Sequence, residues 1–335
     1  MIKLRHWEYW PFGIVQLPAI LYYFWLSLKA RSFFFFTASN PSIEMGGLFG
    51  ESKFRILKNI PKRYVAQSIL IQRPITDIEL WQQIESAGLL FPLIFKPDLG
   101  ERGYQVKKIN SKEDAITYCK SFRFNFLVQE WINLPLEFGV FYRRFPQQAK
   151  GEVFSITGKE FLSVTGDGKK TLAQLIQEKD RAKLQWKKLK ERWQEKLDEV
   201  VNADEKFVLN TIGNHSLGTL FTNCNHLIDE ELNQSFDTIS KQIPGFYYGR
   251  FDLRCQTIED LKAGRVMIME LNGCGAEPAH IYQPGYSFFK AAFEIVSHWK
   301  NIYDIAIQNK KNGIAFYTKK EALHYYRKFK EAVNN

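Results

Sequence analysis

Paired cysteines are the first thing missing. Cys119, Cys224, Cys255 and Cys274 are the four cysteines in 335 residues, and none stands in CxxC spacing. That pattern excludes a zinc ribbon and a small disulfide-stapled module, and predicts free thiols in a reduced, intracellular setting. Internal repeats, Pro/Ser linkers, zinc-finger patterns and RNP patterns are also lacking, which sets aside solenoids and the common modular nucleic-acid readers. No glycine-rich stretch ends in GK[ST], so a Walker A loop is excluded. Acidic side chains are comparatively few: Lys plus Arg exceed Asp plus Glu by 46 − 36 = 10. Such a surplus suits polyphosphate, anionic lipid or nucleic acid, and equally a plain soluble surface. Charge and aromatics alone support nucleic acid, so no nucleic-acid partner is expected.

What is there is globular in composition. Hydrophobic residues make up 45% and charged residues 24%, near the averages of folded domains, while aromatic content reaches 15% with 28 Phe. At about 150 residues per domain, the length predicts two or three lobes. Charge vanishes over one long run, Trp10 to Leu28, bounded by Lys3 and Arg5 before it and Lys29 and Arg31 after it. The run barely reaches the ~20 residues that cross a hydrocarbon layer, and Pro11, Gly13, Gln16 and Pro18 interrupt its first half. Its Trp and Tyr residues match interfacial aromatics. We expect an interfacial or re-entrant anchor over residues 10–28 that touches a membrane surface. A buried helix is the competing reading, and a removable signal peptide fits poorly for want of a small-residue cleavage site.

Beyond residue 32, short strands and helices alternate in an α+β grammar. Phe33 to Ala38 reads as a strand, Gly46 to Gly50 as a turn, and Ser52 opens a helix that closes before Pro61. Helices are predicted at Asp77–Gly88 and Lys112–Ser121, a β-hairpin from Leu93–Lys96 and Tyr104–Ile109 around the turn Asp98–Gly103, and a strand at Phe126–Gln129. Residues 171–205, dense in Lys, Arg and Glu, read as one long solvated helix. The expected organisation is an apolar segment at 1–45, a small subdomain at 46–125, a larger one at 126–300 with that charged helix inserted, and a helical tail at 301–335.

Chemistry concentrates in three stretches. GFYYGRFDLRC at 245–255 and VMIMELNGCGAEPAH at 266–280 read as two strands joined by a turn. Period-two alternation puts Arg250, Asp252 and Arg254 on one face, and Val266, Ile268, Glu270 and Asn272 on one face of the other strand. A hairpin centred near residue 261 sets Asp252 opposite Glu270. Two facing carboxylates repel unless positive charge lies between them, and Asp252, Glu270 and the Asn272 amide form an oxygen-only set suited to Mg²⁺. A surface ladder of Arg250 and Arg254 with these acids is the alternative. In FPLIFKPDLGERGYQVKKI at 91–109, Lys96 ends an apolar strand and the turn containing Gly100, Arg102 and Gly103 can aim backbone N–H groups at an anion. In FLVQEWINLPLEFGVF at 126–141, the strand exit Gln129, Glu130, Trp131 and Ile132 can read a base edge while Glu137 reaches a ribose. An ordinary hairpin and an ordinary strand exit remain open for these two.

In order along about residues 50–295, these pieces resemble the ATP-grasp superfamily of carboxylate-amine ligases, in the branch around D-alanine–D-alanine ligase and the ligase domain of cyanophycin synthetase. The pieces are Lys53 in GESK, Lys96 with DLGERG, QEWI with Glu137, GRFD and ELNGCG. VTGDGKKTLAQLI at 164–176 is similar to a segment of cyanophycin-synthetase-like members. The resemblance implies two α+β subdomains sandwiching ATP. It implies that Lys53 and Lys96 contact ATP phosphates, with Gly100, Arg102 and Gly103 covering them, and that Gln129 to Ile132 and Glu137 hold the adenosine. Asp252, Glu270 and Asn272 would carry two Mg²⁺ ions, Arg250 would stabilise a tetrahedral oxyanion, and Lys159 would touch phosphate. The usual Rossmann-like first lobe of ~90 residues is cut to about 50 here, and DLGERG replaces the serine-rich phosphate loop of D-alanine ligases. Asn214, His215, Glu277 and His280, in polar segments flanking the metal hairpin, are the substrate candidates. For either histidine, a structural hydrogen-bonding role is the competing reading.

The implied activity is ATP-dependent joining of a small-molecule carboxylate to an amine through an acyl phosphate, in the cytoplasm at the inner face of a membrane. A membrane-associated ATP-binding protein without ligase turnover is the alternative. The sequence names neither the acid, the amine nor an oligomeric state.

Overall fold

The computed structural model describes residues 6–100, 103–211, 213 and 215–333. Two antiparallel sheets organise them. The smaller has the order β1-β4-β2-β3, from β1 (Ser68–Ile71), β2 (Leu93–Pro97), β3 (Lys107–Ile109) and β4 (Phe126–Glu130). The larger has the order β11-β10-β5-β6-β9, from β5 (Leu136–Arg143), β6 (Glu152–Glu160), β9 (Leu220–Asn223), β10 (Tyr248–Cys255) and β11 (Met267–Asn272). A minor pair, β7 (Ser163–Thr165) and β8 (Lys206–Val208), stands apart. The mixed α+β class is as expected. Because β4 completes the smaller sheet, that unit runs through Glu130 instead of ending at residue 125.

The helices follow local signals. Helix α1 (Phe12–Ala30) stops at Arg31 in a left-handed conformation. Helix α2 (Lys53–Lys58) starts at Ser52, whose hydroxyl accepts from the Arg55 N–H and donates to Asp98 at 2.9 Å. The same Asp98 oxygen accepts from the Phe54 N–H at 3.0 Å, so one buried carboxylate caps the helix and pins it to the turn after β2. Helix α3 (Asp77–Ser86) has a full capping box from Thr76 and Glu79, and α4 (Lys112–Ser121) is capped by Ser111. Both lie where the sequence puts them and enclose one face of the smaller sheet with Phe95, Tyr118 and Phe126. The hairpin β2–β3 forms, with its return strand shortened to Lys107–Ile109.

Three expectations are corrected. Phe33–Ala38 is not a strand: Phe35–Ala38 is a 3-10 turn buried between helices. A strand needs a free sheet edge to satisfy its backbone, and here the neighbours are helix α1 and the long α10 (Phe288–Lys311). Residues 171–205 are not one helix. They break into α5 (Leu172–Glu178), α6 (Asp180–Lys183), α7 (Trp186–Arg192) and a 3-10 turn. Leu172, Ile176, Ala182 and Leu189 bury a core of their own with Val164 and Leu209. Finally, α10 runs straight through residue 301, so the C-terminal tail does not begin there; the last helix, α11 (Lys319–Val333), follows it. Helix α8 (Glu230–Lys241) and the short α9 (Ile258–Lys262), which lies in the β10–β11 connection, cover the larger sheet.

Two glycines fix the seam beside the β10–β11 hairpin. Gly47 has φ +79°, and a Cβ there would lie 2.6 Å from Gly273 Cα. The Cys274 and Gly275 N–H groups then reach the carbonyls of Gly46 and Gly47 at 3.0 and 2.7 Å. Only bare backbone allows that approach.

Candidate active-site cleft

A cleft of about 1200 Å³ lies between the two sheets. From β10 come Arg250, Asp252 and Arg254, three residues of one strand face; β11 supplies Glu270 and Asn272. The ladder pairs Asp252 with Glu270 and Arg250 with Asn272, the register expected for a hairpin centred near residue 261. A bulge at Met269 alters the face assignment on β11: Leu253 pairs with Ile268 and Asp252 with Glu270. Ile268 therefore points into the core with Leu271 and does not share the face of Glu270 and Asn272.

Positive charge surrounds both acids. Arg250 grips Asp252 with two parallel bonds of 3.1 Å, the Lys159 ammonium lies 2.9 Å from Asp252 Oδ1, and the Asn272 amide donates to Oδ2 at 2.9 Å. Burial opposes ionisation of Asp252, but Arg250 and Lys159 together overcome it and hold the carboxyl below the usual range. Glu270 behaves alike: burial works against its charge, and Lys53 and then Lys96 outweigh it. Lys53 is 3.3 Å from Glu270 and donates to the Gly100 carbonyl. Gly139 of β5, opposite Asp252, leaves the room the Arg250–Asp252 pair occupies; a Cβ there would meet Arg250 Cδ at 3.0 Å.

Lys96, at the end of β2, donates to Gln129 Oε1 and the Met269 carbonyl, both at 3.0 Å. Burial pushes its ammonium down to about 8, with Lys53 adding to the effect and Glu270 opposing it. Gln129, Glu130, Trp131, Ile132 and Glu137 line the cleft along the β4 exit and the start of β5. Lys108 sits 4.1 Å from the centre of the Trp131 ring and the Arg254 guanidinium 4.9 Å from it. Glu137 is buried and engaged on both oxygens, by Arg254 at 2.9 and 3.0 Å and by Lys159 at 3.4 Å. It therefore acts as a hub joining two cations in the cleft floor. Gly100 and Gly103 line the rim, whereas Arg102 lies outside the described residues.

Among the substrate candidates, Asn214 also lies outside the described residues. His215 lines the cleft, packed among Tyr9, Phe221 and Tyr282 rings. Burial, then the charge of Arg181, pushes it down to about 4, so it is neutral at pH 7. Its Nε2 is buried with no partner among the described residues. Glu277 lines the cleft, accepts from Gln16 and Tyr282 through its carboxylate, and from Arg250 through its carbonyl at 3.1 Å. His280 does not line it. Its ring is buried and spent on Ser155 at 2.7 Å and Glu294 at 2.9 Å, which corrects its place among the substrate residues to a packing role.

Several residues of the cleft escaped the sequence reading. Arg254, which the sequence puts on the strand face of Asp252 or in a surface charge ladder, is buried at the cleft and paired with Glu137. Tyr9, Trp10, Phe12 and Val15 bring the N-terminal segment into the wall, and Arg192 brings in the end of α7. No local signal announces these. Among the described residues no group of three or more His, Cys, Asp or Glu side chains could hold a metal ion; Asp252, Glu270 and Asn272 bring two carboxylates and an amide to the ladder.

No protein-family model matches the sequence. No curated protein matches it. Solved structures of similar arrangement include D-alanine–D-alanine ligase from Bacillus anthracis, 13% identical over 82% of this chain and 72% of that one, TM-score 0.44. A D-Ala:D-Ser ligase from Enterococcus faecalis is 16% identical over 74% of this chain, TM-score 0.42. A bifunctional glutathione synthetase from Pasteurella multocida is 16% identical over 73%, TM-score 0.38. This chain spans 61% of the second protein and 35% of the third.

Proposed function

We propose that the chain is an ATP-grasp carboxylate-amine ligase that consumes ATP. The observation that carries the reading is the facing pair Asp252 and Glu270, each neutralised by its own lysine, in a cation-rich cleft between two sheets. Lys53, at the start of the helix pinned to the turn after β2, and Lys96, at the end of β2, hold phosphoryl oxygens, while Gly100 and Gly103 leave the rim open to a polyphosphate tail. Trp131 and the Gln129–Ile132 strand exit receive the base.

Asp252, Glu270 and Asn272 fit Mg²⁺, because the donors are hard oxygens on one face with neither sulfur nor imidazole among them. Bound there, the metal supplies Lewis-acid neutralisation of phosphoryl charge. The Arg250 guanidinium, fixed by Asp252 and the Glu277 carbonyl, faces the oxyanion that develops when an amine attacks the activated carboxylate. Lys159 keeps Asp252 ionised and lines the cleft, where its ammonium can assist at a phosphate. No enzyme nucleophile takes part: the carboxylate receives the γ-phosphoryl group, the amine displaces phosphate from the acyl phosphate, and acceleration comes from positioning and electrostatics. His215 Nε2 and the Glu277 carboxylate mark the substrate end. A reaction that consumes ATP fits the cytoplasm.

The test is ADP and phosphate release with Mg²⁺ and pools of carboxylic acids and amines. Release that requires both an acid and an amine supports the ligase. Nucleotide binding without release in every pool supports the alternative, an ATP-binding protein without turnover. Failure to bind Mg²⁺–ATP at all removes both.

A further inference from the structure

We propose that the exposed apolar stripe of α1 is a docking face for an anionic lipid surface, on which the protein lies without crossing it. The proposal goes beyond the ligase reading and does not depend on it.

Helix α1 is apolar all round. Val15, Ala19, Leu26 and Ala30 are buried, the first two with Ala291 and Ile295 of α10 and the last two with Ile302 and Ile305. The opposite face carries Ile14, Leu17, Leu21, Phe24, Trp25 and Leu28 at spacings of three and four, and all are exposed, Leu28 by 74% and Leu21 by 64%. A helix resting on a soluble body ordinarily turns polar side chains outward, and a second apolar stripe needs a second apolar neighbour. Phe289 and Phe293, one turn apart on α10, are exposed by 83% and 72%. Ring contacts link Phe289 through Phe288 to Trp10, at 5.8 and 5.4 Å, so the apolar surface continues past the start of α1.

The helix is too firmly held to thread a bilayer. Trp7 Nε1 donates to the Tyr286 carbonyl at 2.6 Å before it, Gln16 bonds Glu277 within it, and beyond Arg31 the chain returns into the buried turn at Phe35. An apolar face held parallel to the body lies in the interface plane. The Tyr22 and Trp25 rings stack at 5.4 Å, and such rings favour the headgroup level.

Charge selects the occupant. Lys29 and Arg31 at one end and Lys290 near the other are exposed, and α1 contains no acidic residue. A second copy docked face to face through a two-fold axis brings this same cationic set against itself; an anionic bilayer complements it.

The experiment is sedimentation of the full chain with extruded vesicles of phosphatidylglycerol and phosphatidylcholine, against phosphatidylcholine alone. Expected is at least tenfold more bound protein on the anionic vesicles, with binding weakened by salt. The double variant L21E/W25E should lose that binding while keeping its thermal unfolding profile, and K29E/K290E should lose the preference for anionic lipid. Folded wild-type protein that stays in the supernatant with both vesicles overturns the proposal. So does a dimer on size-exclusion chromatography that L21E/W25E disperses, with no vesicle binding. Nucleotide binding, measured in the same samples, reports separately on the ligase reading.

Discussion

Asp252 and Glu270 face each other across the β10–β11 ladder, and each leans on a different lysine: Lys159 at 2.9 Å from the first, Lys53 at 3.3 Å from the second. The lysines come from opposite sides of the cleft, Lys159 from β6 of the larger sheet and Lys53 from the helix pinned to the smaller sheet's turn. Both acids thus remain ionised in a partly desolvated place, the state in which a carboxylate can bind a divalent cation.

Glu270→Gln keeps the shape of that pair and removes one charge. Lys53 then loses its anion, and the proposed Mg²⁺ set loses one of its two carboxylates. We expect Mg²⁺-dependent nucleotide turnover to fall at least 100-fold, about 3 kcal/mol in barrier, with thermal stability little changed. Steady-state phosphate release checks it, and turnover within a few fold of wild type would remove Glu270 from the metal set.

Lys159→Met tests the floor of the cleft. Lys159, Asp252 and Glu137 side chains are exposed by only 6%, 9% and 6%. Deleting the shared cation leaves two buried carboxylates short of a partner, a loss of about 3 kcal/mol in folding stability. Adding Glu137→Gln should then cost less than it does in the wild type, because that carboxylate has already lost Lys159 and keeps only Arg254. Urea unfolding of the wild type, both single variants and the double variant measures the coupling; additive losses would mean that Lys159 and Glu137 do not share a network.

Much of this was legible because it is local. Period-two alternation is enough to put Arg250, Asp252 and Arg254 together, and a short connection is enough to set Asp252 against Glu270. The Met269 bulge was not legible, since nothing in VMIMELN marks which residue is left unpaired, and one extra residue reverses the faces before it. The stretch 171–205 reads as a solvated helix because its charges outnumber its apolar residues. The partners that bury Leu172, Ile176 and Leu189 include Val164 and Leu209, on the segments flanking the stretch. Tyr9, Trp10 and Arg192 reach the cleft only through tertiary packing that sequence spacing does not carry.

Lys96 supplies a pH test. Burial pushes its ammonium from the ordinary lysine range to about 8, so the folded chain sheds this proton near pH 8 while the unfolded chain keeps it to about 10.4. Between those values the unfolded state binds more protons, and this group makes stability rise with pH. A bound polyphosphate favours the charged form. At pH 8.5 nucleotide binding should therefore take up a fraction of a proton, seen as different apparent enthalpies in calorimetry with two buffers of unlike ionisation heat. Lys96→Arg should abolish the difference; uptake that persists in that variant would assign the proton elsewhere.

Gly139 tests whether Arg250 must sit where it does. The residue lies opposite Asp252 on the neighbouring strand, and a Cβ would come 3.0 Å from Arg250 Cδ and 3.3 Å from Asp252 Oδ1. Its backbone is ordinary extended strand, so alanine brings no conformational strain, and the side chain that gives way is the long, flexible arginine. Gly139→Ala should therefore cost little stability, within about 1 kcal/mol. On the proposed roles, with Arg250 at the oxyanion and Lys53 and Lys96 at the phosphates, it should lower turnover about tenfold with the apparent affinity for ATP preserved, because only the guanidinium is displaced. Steady-state kinetics and nucleotide titration on the same preparation separate the two effects. A variant that loses nucleotide affinity as much as turnover would show that Arg250 serves the nucleotide and not the carbonyl centre.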